Sequence, residues 1–264
     1  MAMDFSLKEK YNINDLLEIM RLLRSPGGCP WDAEQTHESI RSNFIEEVYE
    51  AVDAIDKRDA LLLKEELGDV LMQVVFHAQI ESENGGFDFD DVTDTVCKKL
   101  IERHPHVFAN VSVNDSDDVL RNWDEIKKKS KGQNASQSLM DVPMTLPALM
   151  RSHKVQQRAA RVGFDWDDYR GALDKIDEEV SEFKQAIAQG NAKDIEEEFG
   201  DVLFAAVNTS RLLGIDAENA LTKACNKFIN RFTLVERLAL ERGIRLDEQP
   251  LSVLDKLWDE AKKM

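Results

Sequence analysis

The chain has 264 residues, of which 42% are hydrophobic, enough for one sizeable core or two smaller ones and far from the composition of disordered chains. A formal charge of −17 repels polyanions and excludes long DNA or RNA as a partner. No apolar run approaches the roughly 18 residues that cross a bilayer, so no membrane partner is expected.

Only 12 Gly and 6 Pro stand against abundant Leu, Ala, Glu and Lys, which points to an all-α protein. The opening MAMDFSLKEK lacks the apolar stretch of a signal peptide, and a cytoplasmic location is expected. Cys29, Cys97 and Cys225 are far apart without CxxC spacing, so they are expected as small buried side chains rather than as a disulfide or thiolate metal site.

In chain order, Ile13, Leu16, Leu17, Met20 and Leu23 recur at helical spacing until Gly27 and Gly28 break the segment. Trp31 follows and is expected to pack the incoming helix. Two long helices are predicted over about 38–57 and 60–84, with Asp59 as an N-cap, and another over 90–104. A polar stretch, KSKGQNASQS at 129–138, has linker composition, and the linker is placed at 131–144. Trp166 repeats the part of Trp31. Helices are then predicted over 168–189 and 192–213, with Gly190 as a left-handed C-terminal residue and Asn191 as the next N-cap, followed by 217–241 and a short final helix.

The chain repeats itself. Trp31-Asp32 returns as Trp166-Asp167, and NWDEIKKK at 122–129 returns as LWDEAKKM at 257–264, both at an offset of 135 (166 − 31 and 257 − 122). EEVYE at 46–50 and EELGD at 65–69 match EEVSE at 178–182 and EEFGD at 197–201 at an offset of 132 (178 − 46). CKKLIER at 97–103 matches CNKFINR at 225–231. The expected organisation is therefore two helical units, 1–130 and 145–264, each built on one antiparallel hairpin.

Counting outward from the turns near Arg58 and Gly190, Glu50 and Glu66 each lie eight residues away, and Glu47 and Asp69 each lie eleven. Glu182 and Glu198, then Glu179 and Asp201, repeat those distances. At about 1.5 Å rise per residue, each pair stands at matching height, about 12 and 16 Å from the bend. On each helix the two acids are three residues apart and share a face. Four carboxylates are expected to meet in one small volume, where a hard divalent cation, Mg²⁺ with Mn²⁺ as substitute, relieves their repulsion. The flanking Val48, Leu67, Val70, Leu71, Val180, Phe199, Val202 and Leu203 are expected to turn partly inward. One isolated EExxE is ordinarily a wet helix face; two copies with symmetric spacing argue for a site. Glu46, Glu65, Glu178 and Glu197 point to another azimuth, and one of them could activate water.

EExxE followed by ExxD, together with CPWDAEQTHESI, EELGDVLMQVVFHA, KLIERHPHVF and VGFDW, resembles the MazG family of nucleoside triphosphate pyrophosphohydrolases over nearly the whole chain. The resemblance implies Mg²⁺-assisted cleavage of a nucleoside triphosphate between the α and β phosphates, giving a monophosphate and pyrophosphate. It implies metal ligands at Glu179, Glu182, Glu198 and Asp201, with Glu47, Glu50, Glu66 and Asp69 as the first unit's equivalents. These second-unit acids, with Glu178, form the expected catalytic set. Lys227 and Arg231 lie at i and i+4, repeated by Lys99 and Arg103, and with Asn230, Lys175 and Trp258 they are the expected nucleotide contacts. Trp123 and Trp258 have a plain alternative as core anchors.

His37 and His77 are expected as packing or surface residues, and His104 and His106 as local turn structure. No P-loop sequence occurs. Each hairpin leaves an apolar edge, so a homodimer that completes a four-helix bundle is expected. The second unit is favoured as catalytic. The rival from another class is a module that senses Mg²⁺-NTP or binds a protein without hydrolysis; a prenyl-transferase-like enzyme is disfavoured by the lack of DDxxD clusters.

Overall fold

A computed structural model describes residues 5–109, 111–113, 115, 118, 119, 122, 123, 126 and 134–264. Among the described residues there are twelve α-helices, one short 3-10 turn and no strand, and the chain divides into two compact units, Met1–Lys131 and Gly132–Met264. No helix is long and apolar enough to cross a membrane among these residues.

In the first unit, α1 (Ile13–Arg24) begins at Asn12, whose side chain accepts from the backbone of Asn14 and Asp15 while Asp15 returns the bond to the Asn12 N–H. After α1 the chain turns so tightly that a Cβ on Gly28 would stand 2.2 Å from the Leu22 carbonyl oxygen, so only glycine fits. The short α2 (Pro30–Glu34) follows, with Pro30 at its first position, where a missing N–H costs nothing. The hairpin is α3 (Arg41–Lys57) and α4 (Ala60–Glu83), joined by only Arg58 and Asp59. Arg58 takes the left-handed conformation at φ 56°, and the Asp59 carboxylate accepts from the N–H groups of Leu61 and Leu62. This short link holds α3 and α4 antiparallel and in fixed register, which sets the heights of the acids. Helices α5 (Phe89–Arg103) and α6 (Pro105–Phe108) complete the described part.

Helix α1 folds back on α4 through a core of Met20, Ile40, Val75, Phe76 and Ile80, flanked by Leu16, Leu17, Met72 and Phe89. Arg24 ties this layer together. Its guanidinium lies over the Phe76 ring at 5.2 Å, donates to both Glu83 oxygens and reaches the backbone carbonyls of Asp32 and Gln35.

The second unit repeats the plan. Helix α7 (Ala135–Met140) lies inside the stretch read as linker, because the Asn134 side chain caps the Gln137 N–H and starts a helical turn. Residues 131–133 of that stretch lie outside the described residues. Helix α8 (Ala148–Ala160) packs on the hairpin of α9 (Tyr169–Gln189) and α10 (Ala192–Leu212). At the hairpin bend, Gly190 has φ 75°, which a side chain would strain, and the Asn191 side chain accepts from the Lys193 N–H. Helix α11 (Ala217–Glu241) then packs on α12 (Leu251–Ala261) through Val235, Leu238, Ala239, Leu257 and Ala261. Helix bounds fall within a few residues of the sequence expectation throughout.

Three expectations are corrected. Cys97 and Cys225 are exposed and Cys29 is half-buried, because they sit on helix faces or a helix start that their own unit leaves uncovered. Trp31 is 60% exposed, with most of its surface in solvent; Trp166, half-exposed, does lie so close to Gly171 that a Cβ there would meet its ring at 2.5 Å. Val48, Leu67, Leu71, Phe199 and Leu203 face outward rather than into a core.

Candidate metal and nucleotide site

Each hairpin brings its acids together. In the first unit Glu47 on α3 and Glu66 and Asp69 on α4 offer oxygens that all lie within 4.8 Å of one another. In the second unit Glu179 on α9 and Glu198 and Asp201 on α10 do the same. The group is three rather than four in each unit. Glu50 and Glu182 stand next to the trio on the exposed side, where nothing holds a fourth like charge inward.

Charge and burial act on these groups as their geometry requires. Burial raises the Glu47 carboxyl first, followed by repulsion from Asp69, Glu50 and Glu46, while a hydrogen bond from the Gln73 amide opposes the shift. Glu66 is likewise raised, by burial and then by Glu50 and Asp69. Glu198 is raised by burial and then by Glu182, Glu179 and Asp201. The units differ in what relieves this repulsion. In the second, the Lys175 ammonium sits between Glu178 at 2.8 Å and Glu179 at 2.7 Å, and these two bonds hold it well above the usual lysine range. Glu179 itself is only 7% exposed. At the matching first-unit position (175 − 132 = 43) stands Asn43, which carries no charge.

The cationic residues lie on α11. Lys227 and Asn230 are exposed, and the Arg231 guanidinium lies 5.9 Å from the centre of the Trp258 ring. The same pairing occurs in the first unit, where Arg103 lies 4.9 Å from the centre of Trp123. Trp258 also meets Phe228 at 5.0 Å and leans on the α11/α12 core, so it serves as the anchor while keeping part of its surface free. Among the described residues no ion pair joins Lys227 or Arg231 to the acids.

Two features escaped the sequence reading. Gln73, one turn beyond Asp69, is buried and acts to lower the Glu47 carboxyl against the effect of its acidic neighbours; its i+4 spacing from Asp69 was the available signal. His37 and His77 face each other Nδ1 to Nδ1 at 2.7 Å, with His37 Nε2 on Glu81 at 2.8 Å, so one proton lies between two rings that do not belong to the acidic cluster. His104 caps α5 and starts α6, as local turn structure.

An all-carboxylate oxygen set suits a hard divalent cation.

The hairpins define a class of all-α protein that carries one acidic cluster per unit, and comparison with known proteins gives the family. The model of the MazG nucleotide pyrophosphohydrolase domain matches residues 35–108 and 169–235, the segments that contain both hairpins. The chain is 47% identical over 249 residues to the nucleoside triphosphate pyrophosphohydrolase/pyrophosphatase MazG of Thermotoga maritima, covering 94% of each chain. It is 46% identical to the nucleoside triphosphate pyrophosphohydrolase of Escherichia coli, covering 95% of this chain and 97% of that one. Against the Mycobacterium tuberculosis protein of the same name, identity is 34% over 91% of this chain and 65% of the relative. This chain belongs to the MazG family.

Proposed function

We propose that this protein is a Mg²⁺-dependent nucleoside triphosphate pyrophosphohydrolase that cleaves NTP or dNTP between the α and β phosphates, releasing a monophosphate and pyrophosphate. The observation that carries the reading is the convergence of Glu179, Glu198 and Asp201, and of Glu47, Glu66 and Asp69, to within 4.8 Å on paired helices. With Glu182 and Glu50 beside them, these residues would hold the ion. When bound, a divalent ion supplies charge neutralisation at phosphate oxygens and lowers the pKa of an attacking water.

The chain's own residues do the remainder. Lys175, already placed against Glu178 and Glu179, brings a positive charge to the rim of the acids, where a phosphate oxygen can accept from it. Glu178, exposed and hydrogen-bonded to that lysine, is the carboxylate we assign to take a proton from water. Lys227, Asn230 and Arg231 offer donors to the polyphosphate, and the free surface of Trp258 offers a face to the base. We take the second unit as the working one, since among the described residues only its acidic trio is joined to a lysine. Nucleotide-pool housekeeping in the cytoplasm fits a substrate of this kind.

The exposed stripe of Ile45, Val48, Val52 and Ile55 on α3, with Leu67 and Leu71 on α4, is the face a second copy would cover to complete a four-helix bundle. Sedimentation of the purified chain tests this: a monomer at all concentrations refutes it.

The function is tested by incubating the protein with several NTPs and Mg²⁺ and detecting pyrophosphate and monophosphate. Product from the parent chain and its loss in Glu198→Ala are expected. Retained nucleotide binding without product would favour the non-hydrolytic sensor, and full activity in Glu198→Ala would refute the choice of unit.

A further inference from the structure

The first hairpin is closed at one end by Arg58 and Asp59, and its open end carries a histidine contact that the acidic cluster does not involve. His37 lies in the segment before α3, and His77 and Glu81 lie one turn apart on α4. The His37 and His77 Nδ1 atoms stand 2.7 Å apart, and His37 Nε2 meets a Glu81 oxygen at 2.8 Å. The two ring planes differ by 10° and the ring centres are 5.0 Å apart. That separation exceeds the nitrogen–nitrogen gap by as much as two ring radii, so the rings lie end to end in one plane rather than face to face. A ring nitrogen's lone pair or N–H lies in the ring plane, and the arrangement is therefore that of a straight N–H···N hydrogen bond. His77 also meets the Phe44 ring of α3 at 5.5 Å, so one residue of α4 touches both the segment before α3 and the first turn of α3.

Such a bond requires one proton between the two nitrogens. An ionised Glu81 can only accept, so His37 carries a hydrogen on Nε2; in the neutral pair its Nδ1 is bare and accepts from the His77 Nδ1–H. One added proton is tolerated. His37 then carries hydrogens on both nitrogens, its charge faces the Glu81 carboxylate, and its Nδ1–H donates to His77, whose own hydrogen moves to Nε2. A second added proton sets two N–H groups against each other at hydrogen-bond distance, with two like charges behind them. Burial and then the neighbouring His37 hold His77 below the ordinary histidine range, in keeping with this. The surroundings do little to absorb a second charge. Glu38 lies beside His37 on its own segment, with Arg41 at the start of α3, and α3 presents the apolar Phe44. From α1, Arg24 is engaged with Glu83 and the Gln35 carbonyl, and the other Glu81 oxygen is crowded by Gly86, where a Cβ would stand 2.3 Å from it.

We propose that His37 and His77 form an acid-labile clasp on the first hairpin: one shared proton fastens the start of α3 to α4, and a proton on every ring nitrogen of the pair releases it. The unfolded chain takes up that last proton more readily than the folded one, so the clasp's contribution is whole above the ordinary histidine value, about 6.5, and is lost as pH falls below it. Release frees the end of α3 away from the Arg58 link, and α3 carries Glu47, so acid loosens the first acidic trio from one side. The clasp needs no bound ion or nucleotide. The second unit has Thr209 and Leu213 at the matching positions (77 + 132 and 81 + 132), and the Thr209 hydroxyl bonds back to the Ala205 carbonyl of its own helix; neither side chain takes up a proton in this range.

The test is amide hydrogen exchange of the full chain at about pH 7.5 and about pH 5, corrected for the intrinsic pH effect. It is read at Ile40 and Phe44, whose N–H groups bond to the Thr36 and Ile40 carbonyls beside the clasp. Three proteins are compared: the parent, His77→Phe, which keeps a ring but loses the nitrogens, and His77→Asn, whose amide can donate to His37 or accept from it in either charge state. In the parent, protection at these amides should fall about five- to tenfold on acidification, the worth of one hydrogen bond. His77→Phe should show the low protection at both pH values and His77→Asn the high protection at both. Histidine-ring nitrogen NMR of the parent at neutral pH needs no variant: one ring proton coupled to the Nδ1 of both residues is expected, and its absence overturns the proposal. Equal protection at both pH values in the parent, or full protection in His77→Phe at neutral pH, overturns it too. The parent's acid loss repeated in His77→Asn places the acting proton elsewhere, and low protection in His77→Asn at both values assigns the contact to ring packing on Phe44; either result overturns the clasp.

Discussion

Thermal unfolding with and without Mg²⁺, compared between Glu66→Ala and Glu198→Ala, separates the two acidic clusters. The units span 131 and 133 residues (1–131 and 132–264), so each should melt as a cooperative body of ordinary domain size. A ligand at one hundred times its dissociation constant stabilises the folded state by about 2.7 kcal/mol. In a unit of this size, about 1 kcal/mol moves the melting temperature by roughly 2–4 °C. Saturating Mg²⁺ should therefore raise each unit's transition by about 5–10 °C. Each alanine variant should lose that rise in its own unit and keep it in the other. Without metal the variants should melt no lower than the parent, since Glu66 and Glu198 are carboxyls whose neighbours already disfavour their charge. Differential scanning calorimetry in chelator and in Mg²⁺ reads both quantities. An undiminished rise in both units of both variants, or a large drop in chelator, would refute the assignment of these residues as ion ligands.

The same raised carboxyls set a pH dependence. Glu47, Glu66 and Glu198 bind protons more readily in the folded than in the unfolded chain, so their contribution to stability is greatest near or below the ordinary glutamate value, about 4.5. It declines as pH rises through their raised values, and denaturant melts in chelator across that interval should show the decline, removed by Mg²⁺. Arg24→Met breaks a pair between a buried guanidinium and the part-exposed Glu83, two carbonyl bonds and the contact with Phe76, and should cost about 1–3 kcal/mol, seen as a lower urea midpoint for the first unit. On the proposed reading, in which Lys175 donates to a phosphate as well as to Glu179, Lys175→Met should raise KM for the nucleotide about tenfold or more while tightening nucleotide-free Mn²⁺ binding in the second unit; steady-state kinetics and calorimetry measure the two changes.

The fold was legible because its punctuation is local. Asp59 and Asn191 cap helices at positions where a short polar side chain follows a long apolar-periodic segment, and Gly190 marks a left-handed bend. Equal counts of residues from those bends to the acids then gave the convergence, since antiparallel helices translate equal sequence distance into equal height. Cysteine burial, the exposure of Trp31 and the outward faces of Leu67 and Phe199 were not legible, because hydrophobicity says that a residue is better covered, not which surface covers it. Residue Arg58 shows the same limit on a smaller scale: it occupies the left-handed position that glycine fills at 190, and a two-residue link between packed helices enforces a conformation its side chain does not favour.

The acids were readable from spacing, whereas their counter-charges were not, and that difference has a physical origin. Carboxylate positions are fixed by two helices in register, so any duplication that preserves the hairpin preserves the trio. Relief of the repulsion can come from any direction and in more than one form. One unit uses Lys175, which from sequence is an ordinary i, i+4 partner of Glu179; the other has the uncharged Asn43 at the matching position. A lysine brings a positive charge to the acids beside it, while an amide brings none. Two copies of one scaffold thus keep the same acids, Glu47, Glu66 and Asp69 against Glu179, Glu198 and Asp201, while differing in the charge set beside them.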